Sequence, residues 1–184
     1  MKVRCPWPAN DLKMIEYHDK EWGKPMHSDT QHFEFLILEA AQAGLSWRTV
    51  LYRREGYRKA FANFDPKKVL RYNQKKIDSL LKDPGIIRNR LKIESAVHNA
   101  KHFIEVQKEF GSFDNYLWGF VDGKSVVNKW TKSGQIPATT KLSETVSKDL
   151  KQRGFRFVGP TVIYAHLQAV GIVNDHLVTC FRYK

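Results

Sequence analysis

The sequence predicts an all-α fold, and three observations support this prediction. Apolar residues recur at helical spacing through most of the chain. The strict alternation of apolar and polar residues that is typical of strands is nearly absent. The chain has 184 residues, of which 42% are hydrophobic and 12% aromatic, so it can bury a substantial core. We therefore expect one globular domain over residues 1–184, without a linker.

The N-terminal half predicts a long central helix followed by a basic one. Ser28 and Gln31 fit a capping box, and apolar residues from Phe33 to Gly44 then cover nearly all sides of the helix. A helix with this pattern is expected to be buried in the middle of the domain. Gly44 is a suitable end for it, and Ser46 can cap the next helix, WRTVLYRREGYRKAF.

The C-terminal half also reads as helical. A short helix, a tight DPG turn and a long helix are predicted by KKIDSLLKDPGIIRNRLKIESAVHNAKHFIEVQKEF. Further helices are predicted by FDNYLWGFV, SETVSKDLKQRGF and PTVIYAHLQAVGIV. Residues 121–141 predict a polar loop between them.

The charge balance favours a polyanionic partner. There are 31 Lys and Arg residues against 19 Asp and Glu, which gives a net charge of +12. A protein with such an excess gains affinity for nucleic acid because phosphate contacts release counterions. Charge alone leaves a merely basic soluble protein as an equal alternative.

The sequence predicts a cytoplasmic protein that does not bind membranes. The N-terminus lacks the apolar core of a signal peptide, and no 18-residue apolar run is present. In a reducing compartment a disulfide between Cys5 and Cys180 is disfavoured, so the two cysteines are either incidental or metal ligands. A monomer without an obligatory protein partner is the default expectation.

One segment, at about residues 76–98, resembles a helix-hairpin-helix motif. In such a motif the glycine of the turn, here Gly85, lets the backbone approach a DNA phosphate closely. Arg88 and Arg90 add positive charge beside it. An ordinary pair of helices with a glycine turn is the alternative, and the net charge favours DNA.

The two ends of the chain carry a candidate zinc site. His176 and Cys180 are four residues apart and are predicted to lie on one face of a C-terminal helix. With two residues near the N-terminus they form a closed tetrahedral zinc set that would join segments 1–20 and 172–184. The rival pair, His98 and His102, has no cysteine nearby. The four candidate ligands are Cys5, His18, His176 and Cys180.

An aromatic and acidic set is the candidate ligand pocket. Glu39 is the only charge in FLILEAAQAGLSW, and a desolvated carboxylate requires a compensating partner. Either Glu39 lies in a pocket or it forms a buried ion pair with Arg48 or Arg53. The aromatic candidates for a pocket wall occupy expected edges of the fold: Trp7, Tyr17 and Trp47.

Several segments together resemble the DNA-3-methyladenine glycosylase I family. They are CPW with YHDKEWGKP, LEAAQAGLSW, DPGIIRNRLKI, QRGFRFVGP and GIVNDHLVTC. They follow one another from about residue 4 to residue 181. The resemblance implies a helix-hairpin-helix glycosylase fold with a structural zinc ion. It also implies base excision of 3-methyladenine from alkylated double-stranded DNA.

The resemblance assigns roles to individual residues. Glu39 matches the carboxylate that recognises the base, and Tyr17 and Trp47, with Trp7 beside them, match the aromatic residues that stack on it. Leu45 is similar to the residue that fills the gap left by an extruded nucleotide. Met14 is a departure, since family members often carry a second pocket tyrosine there. The zinc ligands match Cys5, His18, His176 and Cys180.

Two other functions remain alternatives. Met14 lacks the hydroxyl of the usual tyrosine, which is compatible with a non-catalytic, zinc-containing helix-hairpin-helix protein that only binds DNA. A zinc hydrolase would need an open coordination position, and four protein ligands argue against one.

Overall fold

The computed structural model describes residues 2–183, and ten α-helices account for most of them. The predicted helical fold is confirmed at this level. In chain order the helices are α1 (Leu12–Lys20), α2 (Asp29–Gln42), α3 (Trp47–Leu51), α4 (Arg54–Ala60), α5 (Pro66–Val69), α6 (Gln74–Leu80), α7 (Arg90–Phe110), α8 (Phe113–Gly119), α9 (Lys141–Gln152) and α10 (Pro160–Ala169). Within residues 2–183, no helix combines the length and hydropathy needed to cross a lipid bilayer.

The helix α2 lies at the centre of the domain, as its sequence predicts. Every residue from His32 to Ala41 is buried, and α2 packs against α7, α8 and α10. The predicted capping box at its start is wrong. Ser28 is the N-cap, but its side chain accepts no hydrogen bond. The Asp29 carboxylate instead accepts the backbone N–H groups that begin α8, at 2.9 and 3.0 Å, so it joins two helices.

The predicted basic helix after Gly44 is divided into α3 and α4. Ser46 caps α3 by accepting the Thr49 N–H at 3.2 Å, as predicted. The helix ends at Leu51, and α4 begins again at Arg54. After the break, α4 packs against the turn that contains Gly85.

The predicted short and long helices are α6 and α7, which contact each other and are joined by a turn around Asp83 and Gly85. The Gly85 N–H donates to the Asp83 carboxylate at 2.7 Å. A side chain at Gly56 of α4 would place its Cβ 2.1 Å from the Gly85 carbonyl oxygen. The two glycines therefore permit a close backbone approach between α4 and the hairpin turn, which is a packing reason for both.

The C-terminal segment differs from its prediction. After α10 the chain forms strand β2 (Val173–Asn174), which pairs in parallel with β1 (Val126–Val127). Residues 175–183 contain turns and no helix. His176 and Cys180 therefore do not lie on a helical face, although their spacing of four suggests one.

The predicted loop at 121–141 is confirmed only in part, because it includes β1 and a 3-10 turn at Ser133–Gln135. Its anchor is Trp130, whose indole Nε1 donates to the Asp175 carboxylate at 2.7 Å. This loop consequently lies against the C-terminal segment and α10.

Candidate functional site

A cavity of about 390 Å³ opens between α1, α2, the start of α3, α10 and the loop at 121–141. This volume is in the range typical of small-molecule sites. Aromatic rings form much of its wall. The lining residues are Trp7, Met14, Tyr17, Trp22, Glu39, Gln42, Trp47, Ser133, Ile136, Ala165 and Gln168.

The structure brings the five predicted pocket residues to this one cavity, namely Trp7, Met14, Tyr17, Glu39 and Trp47. Tyr17 and Trp47 lie with ring centroids 5.2 Å apart at an interplanar angle of 45°. Trp7 contacts Tyr17 edge to face at 6.2 Å. All three rings line the cavity, so they offer aromatic surface to a ligand inside it.

Glu39 is the acid of the cavity, and it has no cation. Its residue is only 4% exposed, and among residues 2–183 its carboxyl group forms no ion pair. Arg48 pairs with Asp11, and Arg53 donates to the Thr49 carbonyl oxygen at 3.2 Å, so neither is the partner considered from sequence. Burial alone raises the pKa of Glu39 to about 8.

A second buried acid on α2 provides a direct comparison. Glu34 accepts from Arg54 Nε at 2.7 Å and from Arg58 Nη2 at 3.2 Å. Glu34 therefore has two arginine partners, whereas Glu39, which lies five residues later on the same helix, has none within residues 2–183. A positively charged ligand in the cavity would supply the missing positive charge to Glu39.

A smaller cavity of about 170 Å³ adjoins Glu39 on the side of the turn after α2. Gly44 has a φ of +77° there, which favours glycine, and it directs Leu45 outward with 41% of its surface exposed. Lys92 of α7 donates to the carbonyl oxygens of Ala41 and Ala43 at 2.8 and 2.6 Å. The second hairpin helix thus holds the turn that presents Leu45.

Six cavity residues were not predicted from sequence. Gln42 lies one turn after Glu39 on α2, and Trp22 follows α1. Ser133 and Ile136 come from the 121–141 loop, which the sequence left without a role. Ala165 and Gln168 come from α10, where Gln168 is the only amide side chain. The one amide side chain in a mostly apolar helix is a signal that could have been used at the level of sequence.

The four predicted metal ligands also come together, and all four are buried. Their ligand atoms lie within 4.8 Å of one another. The distances from Cys5 Sγ to His176 Nδ1, Cys180 Sγ to His18 Nε2 and Cys180 Sγ to His176 Nδ1 are 3.6, 3.5 and 3.5 Å. Tetrahedral zinc places sulfur and nitrogen ligands about 3.5 Å apart, so the set fits that ion.

Neighbouring groups orient these ligands. His18 Nδ1 lies 2.8 Å from the Asp19 carboxylate, and His176 Nε2 lies 3.0 Å from the Trp22 carbonyl oxygen. These bonds leave the opposite ring nitrogens for the metal, as is usual at zinc sites. Backbone N–H groups also donate to both sulfurs. These contacts therefore hold the four side chains in their orientation around the cluster.

The metal cluster and the cavity share a wall. Trp22 contacts the His176 ring with centroids 4.6 Å apart, and Trp7 contacts the His18 ring at 5.3 Å. Both tryptophans line the cavity. The position of this wall consequently depends on the Cys/His cluster behind it.

The predicted DNA-contacting residues of the hairpin lie at its surface. Arg88 is exposed and forms no ion pair within the part of the chain that the structure describes. Arg90 is paired with Asp78 at 2.9 Å and with Glu94 at 3.3 Å. The Gly85 N–H is bonded to Asp83, so this amide is not directed outward. Of the two arginines, Arg88 is therefore the one that is more available to contact a phosphate.

Comparison with known proteins agrees with this arrangement. The model of a family described as methyladenine glycosylase matches residues 7–183. The DNA-3-methyladenine glycosylase of Haemophilus influenzae is 45% identical over 180 residues, which cover 98% of this chain and 97% of that protein.

Solved structures give the same result. A crystal structure of 3-methyladenine DNA glycosylase I superposes with a TM-score of 0.96 at 41% identity, covering 99% of this chain and 100% of that one. A variant of 3-methyladenine DNA glycosylase I in complex with 3-methyladenine superposes with a TM-score of 0.93 at 34% identity, covering 96% and 95% of the two chains. This chain therefore belongs to the methyladenine glycosylase family.

Proposed function

We propose that this chain is a base-excision repair enzyme that hydrolyses the N-glycosidic bond of 3-methyladenine in alkylated DNA. Its relatives carry that activity in their names, and one related structure contains the base itself. The observation that carries the proposal within this molecule is Glu39, a buried acid without a cation that lines an aromatic cavity. An N3-methylated adenine in DNA is a flat cation, and it satisfies both requirements of this cavity.

The chemistry of the lesion needs little help from a general acid. Methylation makes the base formally cationic, so its departure yields a neutral product and the glycosidic bond is already weak. A barrier reduction on the order of 5–8 kcal/mol would give a useful rate. The protein has to extract the base, hold it and admit water to the electron-poor sugar carbon.

The cavity residues divide these tasks. Tyr17 and Trp47 would stack on the ring, and a cation over an aromatic face gains roughly 0.5–2 kcal/mol. Glu39 would accept a hydrogen bond from the exocyclic amine and be ionised by the positive charge. Undamaged adenine carries no such charge and leaves the carboxyl group desolvated. Met14 would pack its thioether on the ring edge in place of a tyrosine.

Extrusion of the base costs a few kcal/mol, and exposed residues near the cavity would offset it. We propose that Leu45 enters the duplex where the nucleotide leaves, because it is exposed beside Glu39 at the cavity edge. We also propose that segment 76–98 acts as a helix-hairpin-helix, with Arg88 as its main phosphate contact. Gly85 and Arg90 would support the turn, since both are already engaged in contacts within the protein.

The Cys/His cluster would hold one structural zinc ion. Cys5, His18, His176 and Cys180 supply four buried ligand atoms within 4.8 Å of one another, and four protein ligands would fill a tetrahedral zinc site with no open position. The ion would join the terminal segments predicted at 1–20 and 172–184 and so support the tryptophan wall of the cavity. Met1 and Lys184 lie outside the described residues. 

The remaining predictions concern organisation. We infer a single glycosylase domain over residues 1–184, acting on double-stranded DNA as a monomer. Its basic charge is suited to a nucleic acid partner, and a cytoplasmic location follows from the assigned repair function.

Chromatography of the bases released from methylated DNA tests the proposal. The protein is expected to release free 3-methyladenine and to leave 7-methylguanine, which is a control present in the same DNA. Binding without any release would support the alternative of a non-catalytic DNA-binding protein. Release of 7-methylguanine at a similar rate would contradict selection by this cavity.

A further inference from the structure

A buried carboxylate, Asp175, collects four hydrogen bonds behind the cavity wall. Asn128 Nδ2 and Trp130 Nε1 both donate to its Oδ1 at 2.7 Å. Gln168 Nε2 donates to Oδ2 at 2.6 Å, and the Tyr164 hydroxyl donates to the same oxygen. Burial and this carboxylate raise the pKa of Tyr164, so the phenol keeps its proton. Asp175 accordingly acts as an acceptor towards all four groups.

This network fixes the orientation of the Gln168 side chain. Both Asp175 oxygens accept two hydrogen bonds each, and it is the NH₂ end of the Gln168 amide that donates to Oδ2. The Oε1 end must therefore point away from it. Within residues 2–183 Oε1 has no hydrogen-bond partner and is not sealed from solvent, and Gln168 lines the cavity. Gln168 thus offers the cavity a hydrogen-bond acceptor whose orientation is fixed, because the amide group cannot flip.

We propose that Gln168 determines which purine the cavity accepts, by receiving a hydrogen bond from the exocyclic amine of an adenine. This inference rests on the proposed function and adds a substrate preference to it. The amine carries two hydrogens, and Glu39 and Gln168 belong to helices α2 and α10, which pack together around the cavity. Each side chain can accept one hydrogen.

The same arrangement disfavours guanine. A guanine presents a carbonyl oxygen where adenine presents its amine. That oxygen would face the Gln168 Oε1 with no hydrogen between the two acceptors. The chemical class selected is therefore an N3-methylated 6-aminopurine over an N3-methylated 6-oxopurine.

Replacement of the amide tests this selectivity. Gln168→Met keeps the length of the side chain and removes the acceptor. Binding of free 3-methyladenine and free 3-methylguanine would be followed by quenching of tryptophan fluorescence. Loss of one hydrogen bond is expected to weaken 3-methyladenine binding roughly fivefold and to leave 3-methylguanine binding no weaker. Gln152→Met, at an exposed position on α9, is the matched control and should change neither constant.

A second variant tests the fixed orientation even if the first is unstable. The Trp130 indole N–H can only donate a hydrogen bond. In Asp175→Asn the oxygen of the new amide should therefore face Trp130. The NH₂ end would then face Gln168, whose own amide would turn over and present hydrogens to the cavity. This variant should therefore bind 3-methylguanine more tightly and 3-methyladenine less tightly than the unmodified protein.

The outcomes separate this inference from the proposed function. If folded Gln168→Met or Asp175→Asn keeps the original ratio of the two affinities, Gln168 is not the determinant. If the unmodified protein neither binds 3-methyladenine nor releases it from DNA, the proposed function itself is wrong.

Discussion

The buried acid at the centre of the site should make the protein less stable than it would be without that acid. Glu39 is desolvated without a cation, and its pKa is raised from 4.5 to about 8. The unfolded chain releases this proton at lower pH than the folded chain does. The free energy of unfolding therefore falls as the pH rises from 4.5 towards 8, by roughly 1.4 kcal/mol for each pH unit.

Glu39→Gln removes this titration and keeps the shape of the side chain. At pH 7 the variant is expected to be more stable by about 3 kcal/mol, as an order of magnitude, and to lose the corresponding pH dependence. Urea unfolding of both proteins at several pH values between 5 and 8 measures the difference. Because histidines contribute equally to both proteins, the difference isolates Glu39.

The matched control lies on the same helix. Glu34→Gln breaks a buried ion pair with Arg54, so it should destabilise the protein by about 3–5 kcal/mol. A Glu39→Gln variant that is less stable than the unmodified protein, or that keeps its pH dependence, would refute the reasoning that this acid lacks a partner.

Three further predictions follow from the other sites. Cys180→Ser should lose the bound zinc and lower the melting temperature, as measured by atomic absorption and thermal unfolding. Arg88→Ala should weaken DNA binding and lower the slope of log affinity against log salt concentration by about one. Arg90→Ala should change both quantities less. Binding titrations at several salt concentrations measure them. Burial lowers the pKa of His166 to about 3. As the pH falls below 6.5, the unfolded chain binds a proton at this imidazole that the folded chain does not, so the free energy of unfolding falls. His166→Leu removes this titration and should unfold less readily in acid.

The central helix and its acid were predictable because their signals are local. The apolar pattern around Glu39 predicted burial, and Ser46 predicted the start of α3. The aromatic residues at helix edges indicated a pocket for the same reason. The lack of a cation at Glu39 was not predictable, because the partner of Arg48 is Asp11, 37 residues away.

The errors arose where distant contacts override local patterns. The spacing of His176 and Cys180 suggests a helix, but the pairing of β2 with β1 and the bonds to Asp175 hold that segment extended and turned. The capping box predicted at Ser28 is absent, and the adjacent Asp29 bonds to the distant helix α8, which no local pattern indicates. Gln168 lines the cavity, and its amide donates to Asp175, which directly follows strand β2; a local pattern does not reveal this contact.

The rate of base excision by Glu39→Gln tests the central claim most directly. If a desolvated carboxylate selects the cationic purine, this variant should release 3-methyladenine from methylated DNA at least tenfold more slowly in single-turnover reactions, since a hydrogen bond to a charged group contributes about 1.5–3 kcal/mol. Excision at the rate of the unmodified protein, by a variant that binds DNA equally well, would contradict the account.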